Sequence, residues 1–424
     1  MTDYYDLLEQ RDPALREAAL LAALPDHIAR AQRRTSAFAD SLAGVDAAAI
    51  TSRAALASLP VLRKHELLEL QQALRAGPGR HDPFGGFSAI GWRGLPAGRG
   101  ARRVFQSPGP IYEPEGHGSD YWRMARAIFA AGFREGDLAH CSFSYHLTPA
   151  GAMMESGAHA VGCTTFAGGI GNTELQLQAV AELRPHGYIG TPSFLKILVE
   201  KAAETGADIR SLSKGMVGGE AFPPSLRDWL TARGLNVYQS YATADAGLIA
   251  YETAAREGLV LDEHILLEIV RPGTGDVLPD GEVGEVVVTV LNPDYPMVRF
   301  GTGDLSAVLP GLCSTGRSNT RIKGWLGRAD QTTKVRGMFV HPSQVAEVVR
   351  RHAEVIKARL VVEGEMANDR MTFKVEVAGA AEGLPAAVAA SVRDVTKLRA
   401  EVLLAAPGSL PNDGKVIEDA RNYD

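Results

Sequence analysis

The residue in this chain best placed to do chemistry is Asp304, which closes Arg299-Phe300-Gly301-Thr302-Gly303-Asp304 behind an apolar run. A carboxylate at that point can accept hydrogen bonds from both hydroxyls of a vicinal diol such as ribose. The plainer alternative is a strand-end turn closed by an Asx hydrogen bond. Further on, Gly327-Arg328-Ala329-Asp330 leads into Lys334-Val335-Arg336-Gly337. Arg317, Arg321, Lys323, Arg328, Lys334 and Arg336 gather there against the single acid Asp330. Such a cluster suits phosphates, with a solvated basic face as the alternative. Two other phosphate signatures are absent. Gly408 to Gly414-Lys415 has the wrong spacing for a Walker A loop, and Gly168-Gly169-Ile170-Gly171 lacks the last glycine of a dinucleotide fingerprint. Cys141 and Cys163 read as packed small apolar residues rather than nucleophiles.

A chain of 424 residues must bury more than one core. Its 45% hydrophobic and 22% charged content is that of a soluble globular protein. A net charge of −6 argues against nucleic acid or an anionic membrane as partner. No apolar run is long enough to span a bilayer, and the first residues lack the basic start and apolar stretch of a secretory signal. Three cysteines (Cys141, Cys163, Cys313) suggest a reducing compartment. A cytoplasmic protein is expected.

The elements that would position these residues fall into zones. Residues 1–75 read as helical, with Asp12-Pro13 as a helix start and Leu15, Ala18, Ala19 and Ala22 as an apolar face. Residues 76–118 read as irregular. From 119 to 235, helical patterns (Asp120–Ala131, Thr173–Leu183, Ser193–Thr205) alternate with short strand patterns (Gly162–Phe166, Gly187–Ile189), which predicts βαβ units around a mainly parallel sheet. Strand patterns at Leu259–Val270, Gly284–Leu291 and Val298–Phe300, with turns at Pro272-Gly273 and Asp280-Gly281, predict an antiparallel β-subdomain. After Asp330 a smaller α+β unit is expected, with helices at Gln344–His352 and Ala387–Arg399, strands at Arg359–Val362 and Met371–Val377, and a terminal loop at Pro407–Gly414.

Taken in order, these motifs resemble the adenylate-forming (acyl-CoA synthetase, AMP-binding) superfamily, in its phenylacetate-CoA ligase-like branch. The resemblance runs through most of the chain. It implies an α/β N-terminal domain over 1–329, divided into a helical part (1–75), an α/β core (76–257) and a β-subdomain (258–329), followed by a mobile C-terminal cap over 330–424. It implies that Asp304 and Arg328 meet ribose, that Asp330 is the hinge, and that Lys415, in Leu410-Pro411-Asn412-Asp413-Gly414-Lys415, is the adenylation lysine. In Tyr238-Gln239-Ser240-Tyr241-Ala242-Thr243-Ala244-Asp245 the register places Tyr241 and Ala242 against adenine. Asp245 stands there for the glutamate that ligates Mg²⁺, one methylene shorter. Gly218-Gly219-Glu220-Ala221 is similar to the glycine-rich turn at adenine, so Gly219, Glu220 and Ala221 join the nucleotide set. Lys334, Arg336 and Gly337 would meet coenzyme A as the cap turns about Asp330.

The largest departure from the family is at its phosphate loop. In Phe105-Gln106-Ser107-Pro108-Gly109-Pro110-Ile111-Tyr112-Glu113-Pro114 only Ser107 and Gly109 remain as loop-like donors. Two prolines offer no N–H, lysine is missing, and Glu113 has the wrong sign. The acid pocket is expected from Ser142–Asn172, with Tyr145, His146, Gly169 and, beyond it, Gly190; His146 reads equally as a structural histidine. Glu252–Gly258 carries no cysteine cluster and Cys313 stands alone, so no structural zinc is expected. The function implied is an ATP-dependent, AMP-forming ligase that activates an aryl or other small carboxylic acid and transfers it to coenzyme A. Alternatives are transfer to an acyl carrier protein and a non-catalytic nucleotide or acyl-CoA binder. A homodimer would be unsurprising.

Overall fold

The structure is a computed structural model that describes residues 4–77, 82–92, 100–329, 331–364, 368–377, 379, 383–411 and 415–421. Asp12 caps α1 (Pro13–Arg34), its carboxylate accepting from the Ala14 and Leu15 amides at 2.8 and 3.1 Å. The buried stripe of α1 is Arg16, Leu20, Leu24, His27, Ile28 and Ala31, not the face through Leu15, which is 68% exposed. The large side chains at i, i+4 spacing choose the face, and Arg16 turns inward because it pairs with Glu263 at 2.9 Å. Short helices α2 (Ser36–Ser41) and α3 (Arg53–Ala57) follow, and then β1 (Leu62–Arg63) passes directly into α4 (Lys64–Ala76).

The stretch expected to be irregular contains a hairpin. β2 (Arg103–Ser107) and β3 (Ile111–Glu115) pair antiparallel, Ser107 opposite Ile111. The helix expected from Asp120 begins later, as α5 (Ala125–Ala130). Asp120 instead accepts from the Met124 and Ala125 amides at 2.8 and 2.9 Å. The alternation then delivers β4 (Leu138–Cys141), α6 (Ala150–Val161), β5 (Thr164–Ala167), α7 (Thr173–Leu183), β6 (Gly187–Gly190), α8 (Pro192–Thr205), β7 (Lys214–Val217), α9 (Pro224–Thr231) and β8 (Asn236–Thr243). Strands β5-β4-β6-β7-β8 are parallel neighbours, as βαβ crossovers require.

The predicted strand 259–270 is two strands in two sheets. β9 (Gly247–Glu252) and β10 (Leu259–Leu261) continue the parallel sheet antiparallel from β8, and β11 (Ile265–Val270) begins another. The break, Asp262-Glu263-His264, is polar yet buried at Asp262 and Glu263, because Asp262 pairs with Arg123 (2.9 Å) and Arg126 (3.1 Å) and Glu263 with Arg16. β12 (Gly284–Val290) and β13 (Phe300–Ser306) complete the second sheet in the order β1-β13-β12-β11. There β1 runs parallel to β13 and the remaining pairs are antiparallel. β14 (Val308–Leu309) and β15 (Arg321–Ile322) extend the first sheet to nine strands.

After Gly327 the packing changes owner. Contacts divide the chain into one unit holding 1–222 and 226–327 and another holding 328–424 with 223–225. Asp330, the expected hinge, lies outside the described residues. The second unit has a hairpin of β16 (Thr333–Val335) and β17 (Met338–Val340), then α10 (Pro342–Arg350), β18 (Val355–Glu363), β19 (Arg370–Val377), α11 (Leu384–Thr396), β20 (Glu401–Ala405) and β21 (Ile417–Asp419). Its sheet runs β20-β19-β18-β21, and α10 and α11 close a core of Val345, Val348, Leu360, Phe373, Val388 and Val392. No helix among the described residues is long and apolar enough to cross a membrane.

Candidate active site

β13 does not lie flat against β12. Register is regular on either side but shifts between Glu285 and Val287, so Thr302-Gly303-Asp304 bulges opposite Val286. A bulge re-aims side chains, and Gly303 adopts the φ of +73° that the bend demands. Thr302 Oγ1 donates to the Val286 carbonyl at 3.0 Å and accepts the Asp304 amide at 3.1 Å. Asp304 is thereby presented to two donors, Tyr241 Oη on Oδ2 at 2.8 Å and Trp325 Nε1 on Oδ1 at 3.0 Å. Tyr241 Oη also lies 3.0 Å from Thr302 Oγ1.

Arg299 staples the strand into place. At 1% exposure with φ +45°, it forks onto Glu268 at 2.9 and 3.0 Å and donates to the carbonyls of Ala57 (2.7 Å), Gly275 (2.9 Å) and Leu59. Its fixed fork suits this bidentate contact. Neither Arg299 nor Trp325 was singled out from the sequence. The signal for Arg299 was its position directly before Phe-Gly-Thr-Gly-Asp, whereas Trp325 carried none.

Tyr241 and Ala242 sit half-buried where the β8–β9 register shifts, and Asp245 follows three residues after Ala242. Its side chain is wholly buried and pairs with Lys64 Nζ at 2.9 Å through Oδ2, while Oδ1 has no hydrogen-bond partner. Mg²⁺ takes near-octahedral oxygen ligands and keeps several waters. A wholly buried carboxylate with an ammonium on Oδ2 offers a hydrated ion little open face. Glu113 is buried too, and burial, reinforced by the charge of Asp245, raises its carboxyl well above the usual range. Ser107 Oγ donates to Glu113 Oε1. The expected phosphate-loop donors thus sit in the closed β2–β3 hairpin, Ser107 buried and bonded to Glu113, Gly109 in the turn.

Gly218-Gly219-Glu220-Ala221 follows β7 directly. A Cβ on Gly218 would come within 3.0 Å of the Ser240 carbonyl, and Gly219 is exposed with φ +75°. Glu220 and Ala221 are half-buried. The expected acid segments lie at the C-terminal ends of β4, β5 and β6, where open α/β sheets bind ligands. Gln176 fixes one of them, its Nε2 donating to the carbonyls of Gly169 (2.9 Å) and Gly171 (2.7 Å) while Oε1 lies 2.7 Å from Nε2 of buried His140. Gly169 has open space around it. Gly190 does not, since a Cβ there would lie 2.1 Å from Tyr188 Oη and 2.4 Å from Ser142 Oγ, so this glycine makes room for Tyr188. Tyr145 packs against Gly151, and His146 is exposed.

The basic cluster disperses. Arg317 is buried on Glu9 (2.6 Å) and Arg321 on Glu257 (3.1 Å) and the Pro310 carbonyl (2.8 Å), so both hold the fold together. In the second unit Arg328 is half-buried, and Lys334 lies 5.7 Å above the Phe339 ring. Arg336 donates through its amide and its guanidinium to Asp369, both at 2.9 Å. Arg336 and Gly337, with φ of +48° and +82°, form the two-residue turn between β16 and β17, which explains the glycine locally. Lys415 is exposed. Next to it Gln331 Oε1 accepts the Val416 amide at 2.7 Å, and the Lys415 carbonyl accepts from Arg359 at 3.2 Å.

A nine-stranded sheet, a second sheet carrying Asp304 and a separate small α+β unit make up the fold. A solved structure of 2-hydroxyisobutyryl-CoA ligase, in complex with 2-HIB-AMP and CoA in the thioesterification state, matches over all of this chain and 93% of that one. The TM-score is 0.82 and the identity 24%, a likeness of fold. Residues 124–290 match the family described as AMP-binding enzyme. A phenylacetate-coenzyme A ligase of Aromatoleum evansii is 32% identical over 269 residues, covering 61% of this chain and 60% of that protein. One from Pseudomonas putida is 36% identical over 234 residues, 53% of each. The chain thus spans about 60% of the length of the first of these relatives. Over these stretches the sequence is similar to an AMP-binding enzyme family and to phenylacetate-coenzyme A ligases.

Proposed function

We propose that the chain is an AMP-forming acid–thiol ligase. It joins a small carboxylic acid, aryl or other, to the AMP moiety of ATP with release of pyrophosphate, and then passes the acyl group to the thiol of coenzyme A. The observation that carries this reading is the bulged Asp304, held between Tyr241 and Trp325. In this reading Asp304 accepts the ribose hydroxyls with Arg328 beside them. Tyr241 and Ala242 flank the adenine, and Gly219, Glu220 and Ala221 form its edge. Lys415 places a compact positive charge between carboxylate and phosphate. Rotation about Asp330 brings Lys334, Arg336 and Gly337 to the thiol arm. The acid lies among Tyr145, His146 and Gly169.

The test is acid-dependent pyrophosphate release from ATP over aryl, arylacetic and short aliphatic acids, with Lys415→Ala beside the native chain. Release with one acid, lost in the variant, supports the ligase. AMP turnover that rises with coenzyme A, and not with a phosphopantetheinylated carrier protein, supports the acceptor. The closed β2–β3 hairpin favours a second reading, a nucleotide or acyl-CoA binder without triphosphate chemistry. That reading stands if AMP binds and no acid gives release.

A further inference from the structure

We propose that Lys64 is the cation this protein sets against the nucleotide phosphate, in place of a divalent ion on Asp245. The inference rests on the nucleotide reading of the Tyr241–Asp304 site. Strand β1 pairs parallel with β13, Leu62 opposite Phe300 and Arg63 opposite Gly301. Lys64, the next residue, leaves the sheet beside Thr302, whose hydroxyl meets Tyr241 at 3.0 Å. Its Nζ lies 2.9 Å from Asp245, four residues beyond Tyr241 on the same segment. One lysine is therefore fixed between the two segments that frame the nucleotide. The lysine side chain is 30% exposed and the carboxylate not at all, so the ammonium is held from the buried side.

Asp245 pairs with Lys64, and burial together with the charge of Asp245 raises the Glu113 carboxyl well above its usual range. Other cations of this unit near these segments are occupied structurally. Arg63 pairs with Glu285 and the Thr274 carbonyl, Arg299 with Glu268, Arg317 with Glu9 and Arg321 with Glu257. The β2–β3 turn has no lysine to contribute. A phosphate oxygen bound by an ammonium is a charge-assisted contact, and contacts of that kind move an equilibrium about tenfold to a hundredfold.

The test is calorimetric titration of the full chain with AMP and with adenosine in EDTA, for the native protein and for Lys64→Met/Asp245→Asn. The double change removes both charges together, so neither is left buried alone. The native chain is expected to bind AMP about tenfold to a hundredfold more tightly than adenosine without metal. The double variant is expected to bind adenosine like the native chain and to lose that margin. Lys64→Arg should keep part of it. A margin that survives in the double variant, or that appears in the native chain only when Mg²⁺ is added, overturns the assignment while leaving the nucleotide site standing. Failure of the native chain to bind either ligand overturns the site reading itself.

Discussion

Replacing Arg299 with methionine tests whether the Asp304 bulge depends on a buried staple. Arg299 and Glu268 are 1% and 4% exposed at the side chain, and the guanidinium also closes the carbonyls of Ala57, Leu59 and Gly275. Methionine fills much of the volume but leaves the Glu268 carboxylate buried without its partner. Breaking a buried pair from one side costs about 3–5 kcal/mol, chiefly the penalty of the orphaned charge. At about 1.5 °C per kcal/mol for a unit this large, the melting transition of the first unit should fall by about 4–8 °C. Urea unfolding followed by tryptophan fluorescence, with calorimetry beside it, reads the loss. The companion Arg299→Met/Glu268→Leu removes the orphaned charge and should recover a large part, because a buried ion pair and a packed apolar pair differ little in net stability. The reasoning is refuted if Arg299→Met costs less than about 1 kcal/mol, the range of a surface pair, or if the double variant is as unstable as the single one.

Three further outcomes follow from the same geometry. Burial, helped by the charge of Arg30, lowers His27 to about 4. The unfolded chain, with histidine near 6.5, then binds the proton first, so stability is full above pH 6.5 and is lost by about 3 kcal/mol as pH falls to 4. His27→Leu should flatten that slope in acid-titrated urea unfolding, and an unchanged slope would refute the assignment. Gly190→Ala puts a methyl 2.1 Å from Tyr188 Oη and should cost about 1–3 kcal/mol by overpacking, read as a lower urea midpoint. A neutral result would mean that Tyr188 can move. Gly337→Ala meets open space but keeps φ at +82°, so it should cost about 1–2 kcal/mol of backbone strain without a steric clash in the free chain. If the thiol arm passes here, the KM for coenzyme A rises well beyond that for ATP; equal changes in both would limit Gly337 to the turn.

What could be read in the sequence was what local chemistry decides. The α7 helix occupies Thr173–Leu183 as its pattern predicts, and the parallel strands fall where short apolar runs lie between helices. Asp12 caps its helix through a contact two and three residues away. The misreadings share another cause, a partner distant in sequence. The buried face of α1 follows Arg16, whose partner Glu263 lies 247 residues on. Strand 259–270 breaks because Asp262 answers Arg123 and Arg126 from the far side of the core. Periodicity cannot register such pairs, because a charge interior to a pattern looks like an interruption until its counter-ion is known.

Partners distant in sequence also tie together the departures from the family pattern. In the sequence, a phosphate loop without lysine, a glutamate of the wrong sign at 113 and a shortened carboxylate at 245 are three separate losses. In the fold they belong to one cluster. Glu113 comes from the closed hairpin, Asp245 from the turn after Tyr241, and Lys64 from the helix start beside β13. A longer carboxylate at 245 would have to displace the lysine. A lysine in the hairpin would bring a second cation to a cluster in which Asp245 already balances the first. The altered residues are therefore mutually dependent, and reversing one alone, as in Asp245→Glu or Glu113→Lys, should destabilise the first unit rather than restore a family-like loop. Double-mutant cycles between positions 64, 113 and 245 should give coupling of about 0.5–3 kcal/mol. Additive effects would return the three positions to independent losses and remove the physical ground for reading Lys64 as their replacement.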